Sequence, residues 1–293
     1  MVNYSTSRIE YLFKGEDTWL KKILKRFLFK QAPYVSSYYR APNIRFKRSK
    51  SEQSEYNKCS SDIIYFAENY YYNFNIEGKL EIIKLRDYQK DVLKSYVDGR
   101  TIVCNSRQMG VTTLNKIFAL WSILFNPMYV QIVTEPMNMH YEMIDSLITS
   151  YIKIPYYLQK GIIRINNHEI VCDDYSRITS HRAQLKTKDI SLNNFVTIVD
   201  NAAWLHKPDL MDIERTLRHN GKVIITSTPN GFNNFYNIWS NSLDKNTYKF
   251  NPIKLMWYQR DDFDDKWAEH QIKNIGQNSF DKEYGLKFKN KFD

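Results

Sequence analysis

The chain has 293 residues, 43% hydrophobic and 25% charged, which excludes a disordered polymer and provides for one large α/β domain with an appendage or two modest domains. Mean hydropathy is −0.56 and no run of about 18 apolar residues occurs, which argues against a helical bilayer span and predicts a soluble, cytoplasmic protein. Cys59, Cys104 and Cys172 lack CxxC spacing and His partners at metal-ligand distance, so they read as reduced, buried thiols, not as a disulfide frame.

The net charge of +10 is unevenly placed: residues 1–60 carry 13 basic and 5 acidic side chains, and the rest of the chain is near neutral. A basic arm on a neutral body points to an acidic partner such as nucleic acid, a membrane surface or an acidic protein. Within it, Thr18–Lys30 places Leu20, Ile23, Leu24, Phe27 and Leu28 on one helical face and Lys21, Lys22, Lys25 and Arg26 on the other. That pattern fits a helix that binds nucleic acid or a partner, and equally a surface helix with a solvated basic face. Residues 31–60 hold two prolines and basic residues without period, and read as an extended arm or linker.

From Leu85 the pattern changes to strands alternating with helices. Thr101–Asn105 is an apolar strand, followed by a glycine-containing turn and a helix over Thr112–Phe125. Tyr129–Thr134 is a second strand, Pro136 to about Lys153 a helix, and Ile163–Val171 a hairpin-like excursion. Phe195–Asp200 and Lys222–Thr228 are buried-type strands, and Asn233–Leu243 resumes helical spacing. Such alternation implies a parallel sheet with helices on both faces, whose sites lie outside the carboxyl ends of the strands.

The turn after the first strand reads Asn105-Ser-Arg-Gln-Met-Gly-Val-Thr-Thr113. A phosphate-binding loop, GxxxxGK[ST], wraps phosphates in backbone N–H groups, bridges them with lysine and holds magnesium with a hydroxyl. Gly110 and Thr112 stand at the second glycine and the hydroxyl, Asn105 replaces the first glycine, and Val111 replaces the lysine. Alone, the stretch is a weak match and reads more readily as a plain helix start capped by Thr112 or Thr113.

Its neighbours give it context. SRQMGVTT resembles the SRQxGKTT loop of tailed-phage large terminases, and three further stretches resemble that family in order and spacing. Leu85-Arg-Asp-Tyr-Gln89 is similar to its adenine-recognising Q motif, FVTIVD-Asn201 to its Walker B segment, and Ile224–Trp239 to its coupling motif and following helix.

The resemblance covers residues 80–290 and implies a P-loop, RecA-like α/β fold, with a small subdomain formed by the N-terminal arm and the C-terminal segment. It implies a division into 1–60 (basic arm), 61–84 (connection), 85–255 (ATPase-like domain) and 256–293 (return to the small subdomain). It implies that Tyr88 and Gln89 meet the adenine, that Arg107, Gln108, Gly110, Val111, Thr112 and Thr113 surround the phosphates, and that Arg107 acts as a finger on the γ-phosphate. Thr112 and Asp200 would hold magnesium, Asn201 stands where the water-activating glutamate belongs, and Thr228 and Asn230 would sense the γ-phosphate. ATP and Mg2+ are the implied cofactors, wherever binding is retained. Implied partners are viral DNA, portal, other terminase or capsid components and further copies of the chain. The implied location is the host cytoplasm, with possible association with the virus particle, and no membrane is implied.

Three positions depart from the family: Val111, Asn201, and Ile190-Ser191 where an Arg-Gly pair is usual, with Lys186 and Lys188 nearby. Together they imply weak or absent hydrolysis and a structural or regulatory role. The alternative is an active motor with catalytic groups displaced or supplied in trans, working with a separate nuclease. A helicase would need a second RecA-like domain, for which little chain remains. Asp261, Asp262, Asp264 and Asp265 read as a loop and the first turn of a helix, not as a nuclease metal site.

Overall fold

A computed structural model describes residues 38–44, 46–75, 77–135, 139–182, 194–205, 221–247 and 249–289. The helical stretch expected over Thr18–Lys30 and the Lys186–Ser191 region lie outside the described residues.

Two helices open the described chain, α1 (Lys50–Ser61) and α2 (Ile63–Tyr70), followed by a small antiparallel pair, β1 (Tyr72–Phe74) and β2 (Leu80–Ile82). The extended reading of residues 31–60 is therefore corrected over its last part. Ser49 and Glu52 form a reciprocal capping box that starts α1, and this polar helix shows little hydrophobic period to reveal it.

The main unit contains α3 (Asp87–Asp98), β3 (Thr101–Asn105), α4 (Val111–Phe125), β4 (Tyr129–Thr134), α5 (Met139–Tyr151), β5 (Ile162–Ile165), β6 (Glu169–Cys172), β7 (Arg177–Arg182) and β8 (Phe195–Asp200). It continues through β9 (Lys222–Ser227), α6 (Asn234–Asp244) and β10 (Asn251–Leu255). The eight-stranded sheet has the order β10-β3-β9-β8-β4-β7-β6-β5; β10 through β7 run parallel, and β6 and β5 add the antiparallel hairpin.

The central strands are apolar on both faces, as a sheet covered on both sides requires. Successive side chains alternate between two cores. Val103, Ile132, Ile198 and Ile224 join one core with α2 to α5, while Ile102, Val133, Val199 and Ile225 join the other with α6. Helices therefore flank both faces. α4 is buried nearly all round, and its Leu114, Ile117, Phe118 and Leu120 fill the first core.

The described part of the N-terminal segment belongs to that first core, through Cys59, Ile63, Phe66 and Ala67. The C-terminal helices α7 (Asp265–Ile275) and α8 (Gln277–Glu283) build a small core of their own from Ala268, Phe280 and Tyr284, with Trp257, Trp267 and Ile272 packed on it. Asp264 caps α7 by accepting from Trp267 N–H at 2.8 Å, and Asp262 is paired with Arg260 and Arg86, so this acidic run is used in loop and cap. All three cysteines are buried free thiols, and burial pushes each thiol up to about 12.

Candidate phosphate-binding cleft

Because β3, β9 and β8 are parallel, their carboxyl ends emerge on one edge of the sheet. The loop after β3, the tip of β8 and the end of β9 enclose a cavity of about 260 Å³. Asn105, Arg107, Gln108, Met109, Gly110, Val111, Thr112, Asp200, Asn201, Ser227 and Thr228 line it. Arg107, Thr112 and Asp200 thus converge in one cleft. β9 lies between β3 and β8 and contributes Ser227.

The loop curls because Gln108 and Gly110 adopt left-handed backbone, with φ of 64° and 78°. Among the described residues, the N–H groups of Gln108, Met109, Gly110, Val111 and Thr112 meet no protein acceptor, whereas Thr113 N–H already donates to the Gly110 carbonyl at 2.9 Å. Five successive free donors at the start of a 15-residue helix form a concave anion nest, reinforced by the helix dipole.

At the floor of the cleft, Thr112 Oγ1 donates to Asp200 Oδ2 at 2.9 Å. The other carboxylate oxygen accepts from Asn115 Nδ2 at 3.0 Å and from Thr226 Oγ1 at 2.7 Å. Thr226 is the cross-strand partner of Asp200, and Asn115 Oδ1 in turn accepts from the buried Tyr96 hydroxyl at 2.9 Å. Burial raises the Asp200 pKa above the usual carboxylate range, against the opposing pull of its hydrogen bonds from Thr226, Thr112 and Asn115. Asn115, Thr226 and Tyr96 were missed from sequence. The available signal was an Asn inside the largely apolar stretch LNKIFALW.

Several candidate residues occupy other places. Tyr88 OH and Gln89 Nε2 both donate to the Met109 carbonyl, at 3.2 and 3.1 Å, and Gln89 Oε1 accepts from Arg86 N–H at 3.0 Å. They brace the loop after β3 from behind, and neither lines the cavity. Arg107 turns its guanidinium outward to Glu283, at 2.8 Å. Val111 is buried in the first core while touching the cavity. Asn201 sits in left-handed backbone, φ 57°, and its amide donates to the Glu135 carbonyl at 3.0 Å. Thr228 lines the cavity, whereas Asn230 stands outside that lining and donates to the Ala203 carbonyl at 3.3 Å. With Ser227 Oγ accepting from Ala203 N–H and Asn233 Nδ2 also donating to the Ala203 carbonyl, the turn after β8 is bound to the loop after β9.

No family model matches the sequence. Solved structures similar to the fold include the large terminase of bacteriophage HK97, with a TM-score of 0.59 and 15% identity, over 78% of this chain and 54% of that one. The ATPase domain of the Thermus phage P74-26 large terminase matches with a TM-score of 0.51 and 17% identity, over 71% of this chain and all of that one. A large terminase from a thermophilic bacteriophage, in complex with ADP, matches with a TM-score of 0.50 and 9% identity, over 70% and 54% of the two chains. At such identities the likeness is one of fold, and the fold of this chain is that of a phage large-terminase ATPase domain.

Proposed function

We propose that the cleft binds the phosphates of a nucleoside triphosphate, ATP by resemblance, together with magnesium, and that the chain serves viral DNA packaging with weak or absent hydrolysis. The observation that carries this reading is the Thr112–Asp200 pair, a hydroxyl and a carboxylate 2.9 Å apart at the base of the amide nest. These are hard oxygen donors of the kind magnesium takes, and Asp200 is held in place by Asn115 and Thr226, so the residues fit the ion. Bound there, magnesium would neutralise charge on the outer phosphates.

The chain's own contribution to chemistry is reduced. Val111 supplies no charge where a lysine would, a loss of roughly 1.5–3 kcal/mol in charge-assisted bonding. Asn201, whose amide donates to the Glu135 carbonyl, accepts no proton from an attacking water, and general-base help is worth about 10²–10⁴-fold. Binding is therefore retained more readily than turnover. The similar solved terminases, one of them with ADP bound, support the nucleotide and the packaging context.

The test is calorimetric titration of the purified chain with ATP and magnesium, beside ATP turnover with and without DNA. Magnesium-dependent binding with slow turnover is expected. Absence of binding removes the nucleotide reading.

One observation favours an active motor. Glu135 is buried immediately beyond Thr134, which pairs in register with Asp200, and its carbonyl holds the Asn201 amide. That places a carboxylate-bearing residue just past the end of the strand that pairs with β8 at Asp200. Motor-like turnover abolished by Glu135→Gln would establish this second reading.

A further inference from the structure

The amide nest of the loop after β3 depends on what holds the loop's carbonyls. A planar trans peptide points its C=O and the following N–H in opposite directions, so a carbonyl fixed on the outside of the loop turns the next N–H toward the cleft. Arg260 Nη1 donates to the Gln108 carbonyl at 2.5 Å, which aims the Met109 N–H. Tyr88 OH and Gln89 Nε2 both donate to the Met109 carbonyl, which aims the Gly110 N–H. The donors are linked in turn: Asp262 accepts from Arg260 Nε at 2.9 Å and pairs with Arg86, whose own N–H donates to Gln89 Oε1.

These contacts engage the groups by which Gln89 and Tyr88 would read a base. An amide reads adenine with its carbonyl oxygen and its NH2 together. Gln89 Oε1 already accepts from Arg86 N–H, its Nε2 serves the Met109 carbonyl, and the residue is 5% exposed. A Cβ on Gly110 would stand 2.5 Å from Gln89 Nε2, so the amide is pressed against the loop with no room for a base between them. The Tyr88 hydroxyl is engaged by the same carbonyl, and its ring packs on the first core. The cavity itself is lined by the loop, by Thr112 and Asp200, and by Ser227 and Thr228, groups suited to phosphate and metal.

We propose that Tyr88, Gln89 and Arg260 are positioning residues that aim the amide nest, and that the cleft selects a magnesium-bound triphosphate chain without selecting the base attached to it. This deepens the reading of the cleft as a triphosphate site and rests on it. The substrate class is then nucleoside triphosphates as a group, and the segment that resembles an adenine-reading motif acts on the phosphates through the loop.

The experiment titrates the full chain with the magnesium complexes of tripolyphosphate, ATP and GTP. ATP and GTP are expected to bind within about threefold of each other, less than one hydrogen bond is worth. Tyr88→Phe and Gln89→Glu each remove one donor from the Met109 carbonyl, and should weaken all three ligands by a common factor of about five. Tyr88→Phe keeps the ring and its packing, so its loss reads on the hydrogen bond even where Gln89→Glu disturbs the fold. Met109–Gly110 is the only Met-Gly pair in the sequence, so isotope labels on methionine carbonyl carbon and glycine nitrogen isolate the Gly110 amide in a magnetic resonance spectrum. Its proton should shift downfield with tripolyphosphate and with either nucleotide alike. Preference for ATP over GTP by about tenfold or more, or a variant that loses ATP affinity while keeping that for tripolyphosphate, overturns base-independent recognition. Unchanged affinity in both variants, or a Gly110 signal insensitive to bound ligand, overturns the positioning role. Failure of the parent chain to bind any of the three overturns the triphosphate site itself.

Discussion

Thr112 Oγ1 donates to Asp200 Oδ2 across 2.9 Å, joining the first turn of α4 to the tip of β8. The bond brings together two oxygen donors from residues 88 positions apart. Because Asp200 is also held by Asn115 and Thr226, removal of the threonine hydroxyl leaves the carboxylate fixed. Thr112→Val should therefore cost only about 1 kcal/mol of stability. It should weaken magnesium-dependent ATP binding by at least roughly tenfold. Calorimetry with and without magnesium checks this, and equal losses in both conditions would count against a metal-holding role.

Val111→Lys combined with Asn201→Glu should raise ATP turnover well above that of the parent chain. The lysine brings charge to the outer phosphates and the glutamate brings a proton acceptor worth about 10²–10⁴-fold. Asn201 sits at φ 57°, a conformation that Asn tolerates better than Glu, so the second change carries a strain of order 1 kcal/mol. The double variant is expected to melt lower and turn over faster. Motor-like turnover already present in the parent chain would instead point to Glu135 or to a group supplied in trans.

Gly110→Ala should damage the loop itself. The residue is in left-handed backbone, and a Cβ there would stand 2.5 Å from Gln89 Nε2, which is buried and committed to the Met109 carbonyl. Strain and a displaced brace together predict about 1–3 kcal/mol of destabilisation, with weaker phosphate binding. Chemical denaturation measures the first and titration with tripolyphosphate the second. A fully stable Gly110→Ala chain would contradict the brace.

The legible parts of the sequence were those where one physical rule dominates. Apolar runs such as FVTIVD and KVIITS declared buried strands, while Gly110, Thr112 and Asp200 were brought to one cleft only through the family resemblance of the segments that carry them. The interposition of β9 between β3 and β8 was not legible, because strand order depends on crossovers that leave no local pattern. α1 was read as linker because its capping box is polar and its helix shows little hydrophobic period. The positions of Gln89 and Arg107 were also hidden. Motif likeness names a residue's usual ligand, whereas the structure shows the partner within reach: the Met109 carbonyl for one and Glu283 for the other.

Lys116 provides a pH-dependent test of the same region. On α4, four residues beyond Thr112, it donates to Ser146 Oγ at 2.9 Å, and burial lowers its pKa to about 8 against the raising influence of Asp200 and Glu142. The unfolded lysine titrates near 10.4. Between these values the unfolded chain binds more protons, so the lysine's contribution makes stability rise with pH across that window. Below about 8 both states are charged and the penalty of burying the charge is complete. Lys116→Met should thus be relatively most stable near neutral pH, with its advantage over the parent narrowing as pH climbs through the window. Melting temperatures of both chains across that range decide it, and a constant difference would show that Lys116 is not penalised for its charge.

The basic arm calls for a shorter truncation than its charge pattern alone implies. Residues 1–60 hold most of the net charge, but α1 places Cys59 in the first core, and Arg40 and Arg48 donate to the Gln159 and Tyr157 carbonyls. Deleting all 60 residues would remove part of the fold with the charge. Residues 1–37 lie outside the described structure and carry seven basic and three acidic side chains, with Tyr4, Tyr11, Trp19 and Tyr34 among them. If this segment contacts viral DNA, its lysines and arginines neutralise phosphates and release counterions, so affinity must fall steeply with salt. Each phosphate neutralised on duplex DNA contributes about −0.9 to the slope of log affinity against log salt. Deletion of residues 1–37 should abolish DNA binding at low salt while leaving the melting transition in place, because it spares α1 and the contacts of Arg40 and Arg48. Fluorescence anisotropy with labelled duplex across a salt series measures the slope, and calorimetry follows the fold. A truncated chain that binds DNA with the parent's slope would assign the contact elsewhere, and one that no longer melts cooperatively would place the arm in the core.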